Sequence, residues 1–88
     1  MTKIFNYRRL YEDLNIHRKR RGIAWHKVGI RAGVTTSGLS MFVKQFEEPD
    51  KHIFKALSVD SLVKLLNWMG KTDLAPYLID EDDSDVVA

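Results

Sequence analysis

Five side chains near the middle of the chain have the chemistry to contact the edges of nucleic-acid bases. Ser37, Ser40, Met41 and Lys44 recur at the i, i+3, i+4, i+7 spacing of one helix face, and Thr36 directly precedes them. Hydroxyls donate and accept hydrogen bonds, lysine donates, and methionine offers apolar contact. Base edges in a DNA major groove present donors, acceptors and thymine methyl groups. This stripe is poor core material, and it suits such a groove.

An apolar stripe on the same helix is expected to anchor it to a core. It has the same spacing and consists of Leu39, Phe42, Val43 and Phe46. Gly33 predicts the end of a preceding helix, because glycine adopts φ > 0 at low steric cost. Thr35 predicts the N-cap of the next helix, and Val34 and Leu39 have the spacing of a hydrophobic staple. Residues 25–44 are therefore predicted to form two short helices joined by a tight turn.

The segment 25–44 resembles the helix-turn-helix of the Cro and phage-repressor (Xre, lambda-repressor-like) family. That pattern has apolar residues at its fourth, tenth, fifteenth and eighteenth places, small residues at its fifth and eighth, and glycine at its ninth. The matching residues are Val28, Val34, Leu39, Phe42, Gly29, Ala32 and Gly33. The resemblance implies an all-α fold, a compact lambda-repressor-like bundle of about five helices. An ordinary αα-hairpin in an unrelated bundle is the alternative.

The resemblance also implies a function and a set of contact residues. It implies a sequence-specific transcriptional regulator of double-stranded DNA, a repressor or Cro-like protein similar in size to small phage immunity repressors. The second motif helix would enter the major groove, and the first would cross the backbone. The base-reading residues would be Thr36, Ser37, Ser40, Met41 and Lys44. The backbone-contact candidates are Trp25, His26, Lys27, Thr35, Arg20, Arg21 and Arg31. The partner is a DNA operator, on which a homodimer is an open expectation.

Three of these assignments have alternatives. Trp25 either donates to a phosphate or packs with Val28 and Ala32, which share its helix face. The basic run at residues 18–21 is a phosphate-contacting rim, a solvated helix end, or a localisation patch by composition. Met41 either touches a thymine methyl group or makes a dimer contact.

The charges are distributed unevenly along the chain. The net charge is +2, but residues 1–46 hold ten Lys or Arg against two acidic residues, and residues 47–88 hold four against ten. The first half is therefore +8 and the second −6, which indicates a polyanionic partner for the half that contains the motif. The chain has no cysteine, no apolar run of membrane-spanning length and no signal-peptide core at its start. We expect a soluble protein of the bacterial cytoplasm, without membrane contact.

The remaining elements follow from periodicity and stop signals. A first helix is predicted from about Phe5 to Arg21, ending at Gly22, and the second begins near Ala24, which lacks a capping side chain. The connection 46–57 contains a turn at Pro49-Asp50, and its Ile53 and Phe54 either close the core or form a flap. A further helix is predicted from Ser58 to about Met69, and a short last helix after Thr72 or Asp73. One domain over 1–79 and a disordered acidic tail over 80–88 result.

No catalytic or metal-binding pattern was found. His17, His26 and His52 lack metal-ligand spacing, and no histidine is placed to activate the hydroxyls of residues 35–37. We expect no enzyme, no cofactor, no metal and no small-molecule substrate. Two other functions stay open: the antitoxin of a toxin–antitoxin pair, with the acidic tail sealing a basic toxin, and a protein-interaction module with the same fold.

Overall fold

The computed structural model describes residues 3–53 and 56–80, and this part of the chain is mostly helical. Four α-helices are present in it: α1 (Tyr7–Arg21), α2 (Trp25–Ala32), α3 (Thr36–Glu47) and α4 (Val59–Trp68). Single 3₁₀ turns lie at Pro49–Lys51 and Ala75–Tyr77. Two short strands, β1 (Lys3–Phe5) and β2 (Leu78–Asp80), complete the described elements.

The core lies where one face of each helix meets the others. Its buried members come from all four helices, from the residue directly after α4 and from the 3₁₀ turn before β2. They are Leu10, Leu14, Val28, Leu39, Phe42, Val43, Leu62, Leu65, Leu66, Met69 and Tyr77. Burying each of the larger side chains contributes about 1.5–3 kcal/mol before the entropy cost of folding is subtracted. The apolar stripe predicted for α3 is confirmed, since Leu39, Phe42 and Val43 are buried and Phe46 is partly buried against the core.

The boundaries of α1 show how local sequence sets a helix. Its first turn is capped by Asn6, whose Oδ1 accepts a hydrogen bond from the Arg9 N–H at 3.1 Å. Its last turn ends at Gly22, whose backbone is left-handed with φ +64°. The predicted stop at Gly22 is confirmed. The predicted start near Phe5 is wrong, because Phe5 belongs to β1.

The turn between α2 and α3 fixes the angle at which the two helices meet. Gly33 has φ +86°, and the N–H groups of Gly33 and Val34 both donate to the Gly29 carbonyl at 3.0 Å. The two helices also approach closely at Gly29, where an added Cβ would lie 3.2 Å from Thr36 Cγ2. The predicted pair of helices joined at Gly33 is confirmed.

The predicted fifth helix is not formed. After the 3₁₀ turn at Ala75–Tyr77 the chain continues as β2, which pairs antiparallel with β1 in the register Lys3–Asp80, Ile4–Ile79 and Phe5–Leu78. Pro76 has no N–H to donate to a longer helix. The Tyr77 carbonyl instead accepts from the Asn6 N–H at 2.6 Å, and this bond directs the chain onto β1.

The two-stranded β1–β2 ribbon extends the folded domain by one residue beyond the predicted boundary at residue 79. Asp80, assigned from sequence to the tail, is the last residue of β2 and forms an ion pair with Lys3. The rest of the predicted acidic tail, residues 81–88, lies outside the described residues, and so does Phe54 of the connection before α4. Ile53 and Leu57 on either side of that gap are both partly buried.

Candidate nucleic-acid interface

The two faces of α3 differ sharply in exposure. Leu39, Phe42 and Val43 are buried, with no more than 4% of any of these side chains exposed. The other stripe, which contains Ser37, Ser40, Met41 and Lys44, is exposed along its length. Met41 is 42% exposed, although it is apolar. The core therefore holds α3 by one side and leaves the predicted base-reading side free.

A concavity of about 360 Å³ lies between the first turns of α2 and α3. Five of the predicted contact residues line it, and they are Trp25, His26, Thr36, Ser37 and Ser40. The α2–α3 turn produces this arrangement because it brings the starts of both helices to the same surface. Predicted base-reading residues and predicted backbone contacts thus adjoin one another.

Neither helix at this concavity has a side-chain cap. Ala24 has no side-chain acceptor, and Thr35 makes no cap hydrogen bond although it occupies the N-cap position. Its Oγ1 lies over the first turn, 2.7 Å from where a Cβ on Gly38 would stand. The predicted N-cap position of Thr35 is confirmed, but the predicted capping bond is absent. In the first turn of α2 the Lys27 N–H already donates to the Ala24 carbonyl at 3.0 Å. The N–H groups before it, and those of the first turn of α3, have no side-chain cap and can bind an external acceptor.

Trp25 is held in place by aromatic and cationic neighbours from α1. Its ring stacks on Tyr11 with centroids 5.8 Å apart and an interplanar angle of 21°. The Arg18 guanidinium lies 5.0 Å from its ring centroid. Trp25 therefore packs against α1, whereas its two predicted roles, a phosphate contact and packing with Val28 and Ala32, stay predictions. The ring remains partly exposed and contributes to the concavity.

A second set of contacts fixes Tyr11 itself. Its ring stacks on Phe46 at 5.0 Å, and its hydroxyl donates to Glu47 Oε2 at 2.9 Å. Burial, together with the Glu47 carboxylate, raises the pKa of Tyr11 to about 12. Tyr11 therefore connects the end of α3 to the start of α2 through α1.

The four basic side chains of residues 18–21 have different surroundings. Arg18 donates to Asn15 Oδ1 at 2.8 Å and to the Ile23 carbonyl at 3.0 Å, so it braces the α1–α2 connection. The Arg21 guanidinium lies 4.5 Å from the Trp68 ring centroid on α4. Lys19 and Arg20 remain exposed. Arg21 is exposed as well, so its assignment to the DNA backbone stays a prediction beside this contact with α4.

His17 completes the contact between α1 and α4. Its ring packs edge-on against Trp68, and its Nδ1 lies 3.2 Å from Arg21 Nη1. Burial, reinforced by the positive charge of Arg21 and Arg20, lowers the pKa of His17. A neutral imidazole is the form that accepts a hydrogen bond from Arg21.

Several predicted DNA contacts are exposed cations that form no ion pair within the described residues, although the charge of Lys44, after the hydrogen bond from Lys51, also lowers the pKa of Glu48. In the described residues the ion pairs join Lys3 to Asp80, Lys51 to Glu48 and Lys64 to Asp60. Lys27 and Arg31 on α2 and Lys44 on α3 are exposed and take no part in them. Their charge is therefore available for an external anion.

Sequence reasoning missed the residues that support this surface. Arg18 gave no distinguishing signal within its basic run, because its partners Ile23 and Trp25 lie beyond the helix end. Tyr11 lies in the predicted first helix, but its partners Phe46 and Glu47 lie at the end of α3 and cannot be read from spacing within its own helix. Tyr77 is buried, and its hydroxyl donates to Asp13 Oδ2 at 2.7 Å across the molecule.

Over residues 3–53 and 56–80, no group of His, Cys, Asp and Glu side chains is arranged to hold a metal ion. No helix among those residues is both long enough and apolar enough to cross a membrane. No protein-family model matches the chain, and no curated protein and no solved structure matches it.

Proposed function

We propose that this protein is a sequence-specific regulator of transcription that binds double-stranded DNA through α3. The observation that carries the proposal is the exposed stripe of Ser37, Ser40, Met41 and Lys44 on a helix whose other face is buried. A helix presented in this way has the width and the side-chain chemistry to read base edges in the major groove.

The proposal assigns different tasks to the two helices of the motif. Side chains of α3 and Thr36 at its first position contact bases. The start of α2, with His26 and Lys27, lies across the phosphate backbone and fixes the register of α3. The uncapped N–H groups support this role, because the positive end of a helix favours an anion.

The distribution of charge supports a polyanionic partner. Lys27, Arg31 and Lys44 are exposed cations on the two motif helices, and Arg20 is exposed at the end of α1. If about five phosphates are neutralised, the plot of log K against log salt concentration has a slope of about −4 to −5. A slope near zero for every duplex would remove nucleic acid as the partner.

The decisive experiment compares one preferred site with a scrambled one. The preferred site is obtained by selection from random duplex DNA. Ser40→Ala and Lys44→Ala are expected to cost about 1–3 kcal/mol on the preferred site and much less on the scrambled site. Lys64→Ala removes an equivalent charge from α4 and serves as the matched control, with no loss of discrimination expected. Equal losses on both sites for Ser40→Ala and Lys44→Ala would show that α3 is not the reader.

A protein-interaction module is the second candidate function. It is favoured by Val59 and Val63 on α4, which are 74% and 45% exposed although apolar. Failure to bind any duplex at low salt, together with retention of a protein partner, would favour this candidate. An antitoxin would show both properties, DNA binding and a tightly bound toxin.

A further inference from the structure

We propose that the concavity between α2 and α3 receives the methyl-bearing edge of one thymine in the recognised site, with Trp25 as its apolar wall. The proposal rests on the proposed DNA-binding function and adds a base identity to it. It assigns Trp25 to base recognition, whereas sequence analysis placed it at a phosphate or in the core.

The lining of the concavity combines an apolar ring with hydroxyl groups. Trp25 supplies the ring, and Thr36, Ser37 and Ser40 supply hydroxyl-bearing side chains. In the major groove thymine presents a methyl group on C5 directly beside the O4 acceptor. A serine hydroxyl can donate to O4 while the ring covers the methyl group. Cytosine presents no methyl group and an N–H donor in place of O4, so it matches this lining less well.

The Trp25 side chain is already held in position in the protein without DNA. Trp25 is stacked on Tyr11 at 5.8 Å and lies 5.0 Å from the Arg18 guanidinium. Tyr11 is fixed in turn by Phe46 and Glu47. An immobilised ring loses little rotamer freedom on binding, and apolar contact with it therefore contributes more of its free energy to affinity.

The surroundings favour a nucleotide over an uncharged apolar ligand. The first N–H groups of α2 and α3 lie beside the concavity without side-chain caps. Lys27 is exposed one residue after His26, which lines it. A volume of about 360 Å³ exceeds what a methyl group needs, and it leaves room for the pyrimidine edge and the adjoining backbone. The positive charge around the concavity and its volume therefore fit a base that is attached to its phosphates better than an uncharged apolar molecule.

The test removes single methyl groups from the DNA. In the preferred site each thymine is replaced in turn by deoxyuridine, which lacks only the C5 methyl group. At one position per binding site, affinity is expected to fall about fourfold, the factor for one buried methyl-sized group. Trp25→Ala is expected to bind the thymine and deoxyuridine versions of that position alike. Met41→Ala is the matched comparison, since Met41 does not line the concavity, and it should keep the fourfold difference there.

A second measurement avoids any risk that Trp25→Ala fails to fold. The same thymine is replaced by 5-bromodeoxyuridine, whose bromine has about the size of the methyl group, and the complex with the unaltered protein is irradiated. Mass spectrometry is expected to find the crosslink on Trp25.

The outcomes separate this inference from the proposed function. Specific binding without any deoxyuridine-sensitive position, or a crosslink on Met41 instead of Trp25, would overturn the thymine pocket and leave the regulator proposal intact. Absence of any sequence preference would overturn both.

Discussion

The four helices fall into two pairs that begin in different ways. At α1 the Asn6 side chain accepts from the Arg9 N–H, and at α4 the Ser58 hydroxyl accepts from the Ser61 N–H at 3.2 Å. At α2 and α3 the corresponding residues, Ala24 and Thr35, make no such bond. In α1 and α4 a side chain of the protein accepts from a first-turn N–H group. In α2 and α3 no side chain does so, and first-turn N–H groups lie uncapped beside the concavity.

This difference separates what stabilises the domain from what is offered to a partner. A missing N-cap lowers the free energy of unfolding by about 1 kcal/mol per helix, and α2 and α3 both lack one. Both helices are instead held by burial of Val28, Leu39 and Phe42 and by the turn at Gly33. The helix pair without caps therefore depends more heavily on its turn and on its core face.

Gly33→Val is expected to have the largest effect of the changes that test this comparison. A β-branched residue at φ +86° is strained, which costs about 1–3 kcal/mol. The nearest atom to an added Cβ is Lys64 Cδ at 4.0 Å, so the cost comes from the backbone and not from a clash. Thermal melting of the protein without DNA measures it, with about 4–8 °C expected per kcal/mol. Gly33→Asn is the control, because asparagine tolerates this conformation. Equal melting temperatures for the two variants would contradict the argument.

The caps themselves provide the second test. Ser58→Ala removes a hydrogen bond at the start of α4 and is expected to lower the free energy of unfolding by about 1 kcal/mol. Thr35→Ala removes a hydroxyl that makes no cap bond, so its loss of stability is expected to be smaller. Urea denaturation of the two variants gives the comparison. If Thr35→Ala is as costly as Ser58→Ala, the two pairs of helices do not differ in solution as they do here.

Substitutions at the basic end of α1 are expected to have smaller effects, on DNA binding for Arg20 and on protein stability for Arg21. Arg20→Ala should make the salt dependence of DNA binding shallower by roughly one unit, because its side chain is free to meet a phosphate. Arg21→Ala should leave that slope unchanged and lower stability by about 0.5–1 kcal/mol through loss of the contact with Trp68. Identical slopes for the two variants would mean that Arg21 leaves α4 when DNA binds.

Alkaline pH is expected to give the smallest effect under ordinary conditions. The pKa of Tyr11 is raised to about 12 by burial and Glu47, against about 10 in an unfolded chain. Its stabilising contribution is therefore complete below pH 10 and is lost as pH rises towards 12. The difference in melting temperature between the unaltered protein and Tyr11→Phe should shrink from pH 9 to pH 11. A constant difference would show that the Tyr11–Glu47 bond does not contribute.

The α2–α3 surface was predictable because its signals are local. Gly33, the two stripes of α3 and the exposed cations are all read from spacing within twenty residues. The structure of the C-terminal segment was not predictable in this way. The three consecutive apolar residues Tyr77, Leu78 and Ile79 are compatible with the buried face of a helix and with a short strand alike. Its strand depends on pairing with Lys3–Phe5 at the other end of the described chain, and three-residue strands have no periodicity to detect. The bracing by Arg18 and Tyr11 was missed for the same reason, since the partners that decide it are distant in sequence.

The β1–β2 ribbon has a consequence for the order in which the domain assembles. It joins residues separated by almost the whole described chain, and closing so long a loop costs entropy before any contact compensates for it. Once α1 and the buried Tyr77 ring are packed, however, Asn6 and the Tyr77 carbonyl already lie within hydrogen-bonding distance. The β1–β2 ribbon is therefore expected to close late in folding and to open early in unfolding. Its backbone amides would exchange with solvent faster than those of the helices, while the α2–α3 surface stays intact.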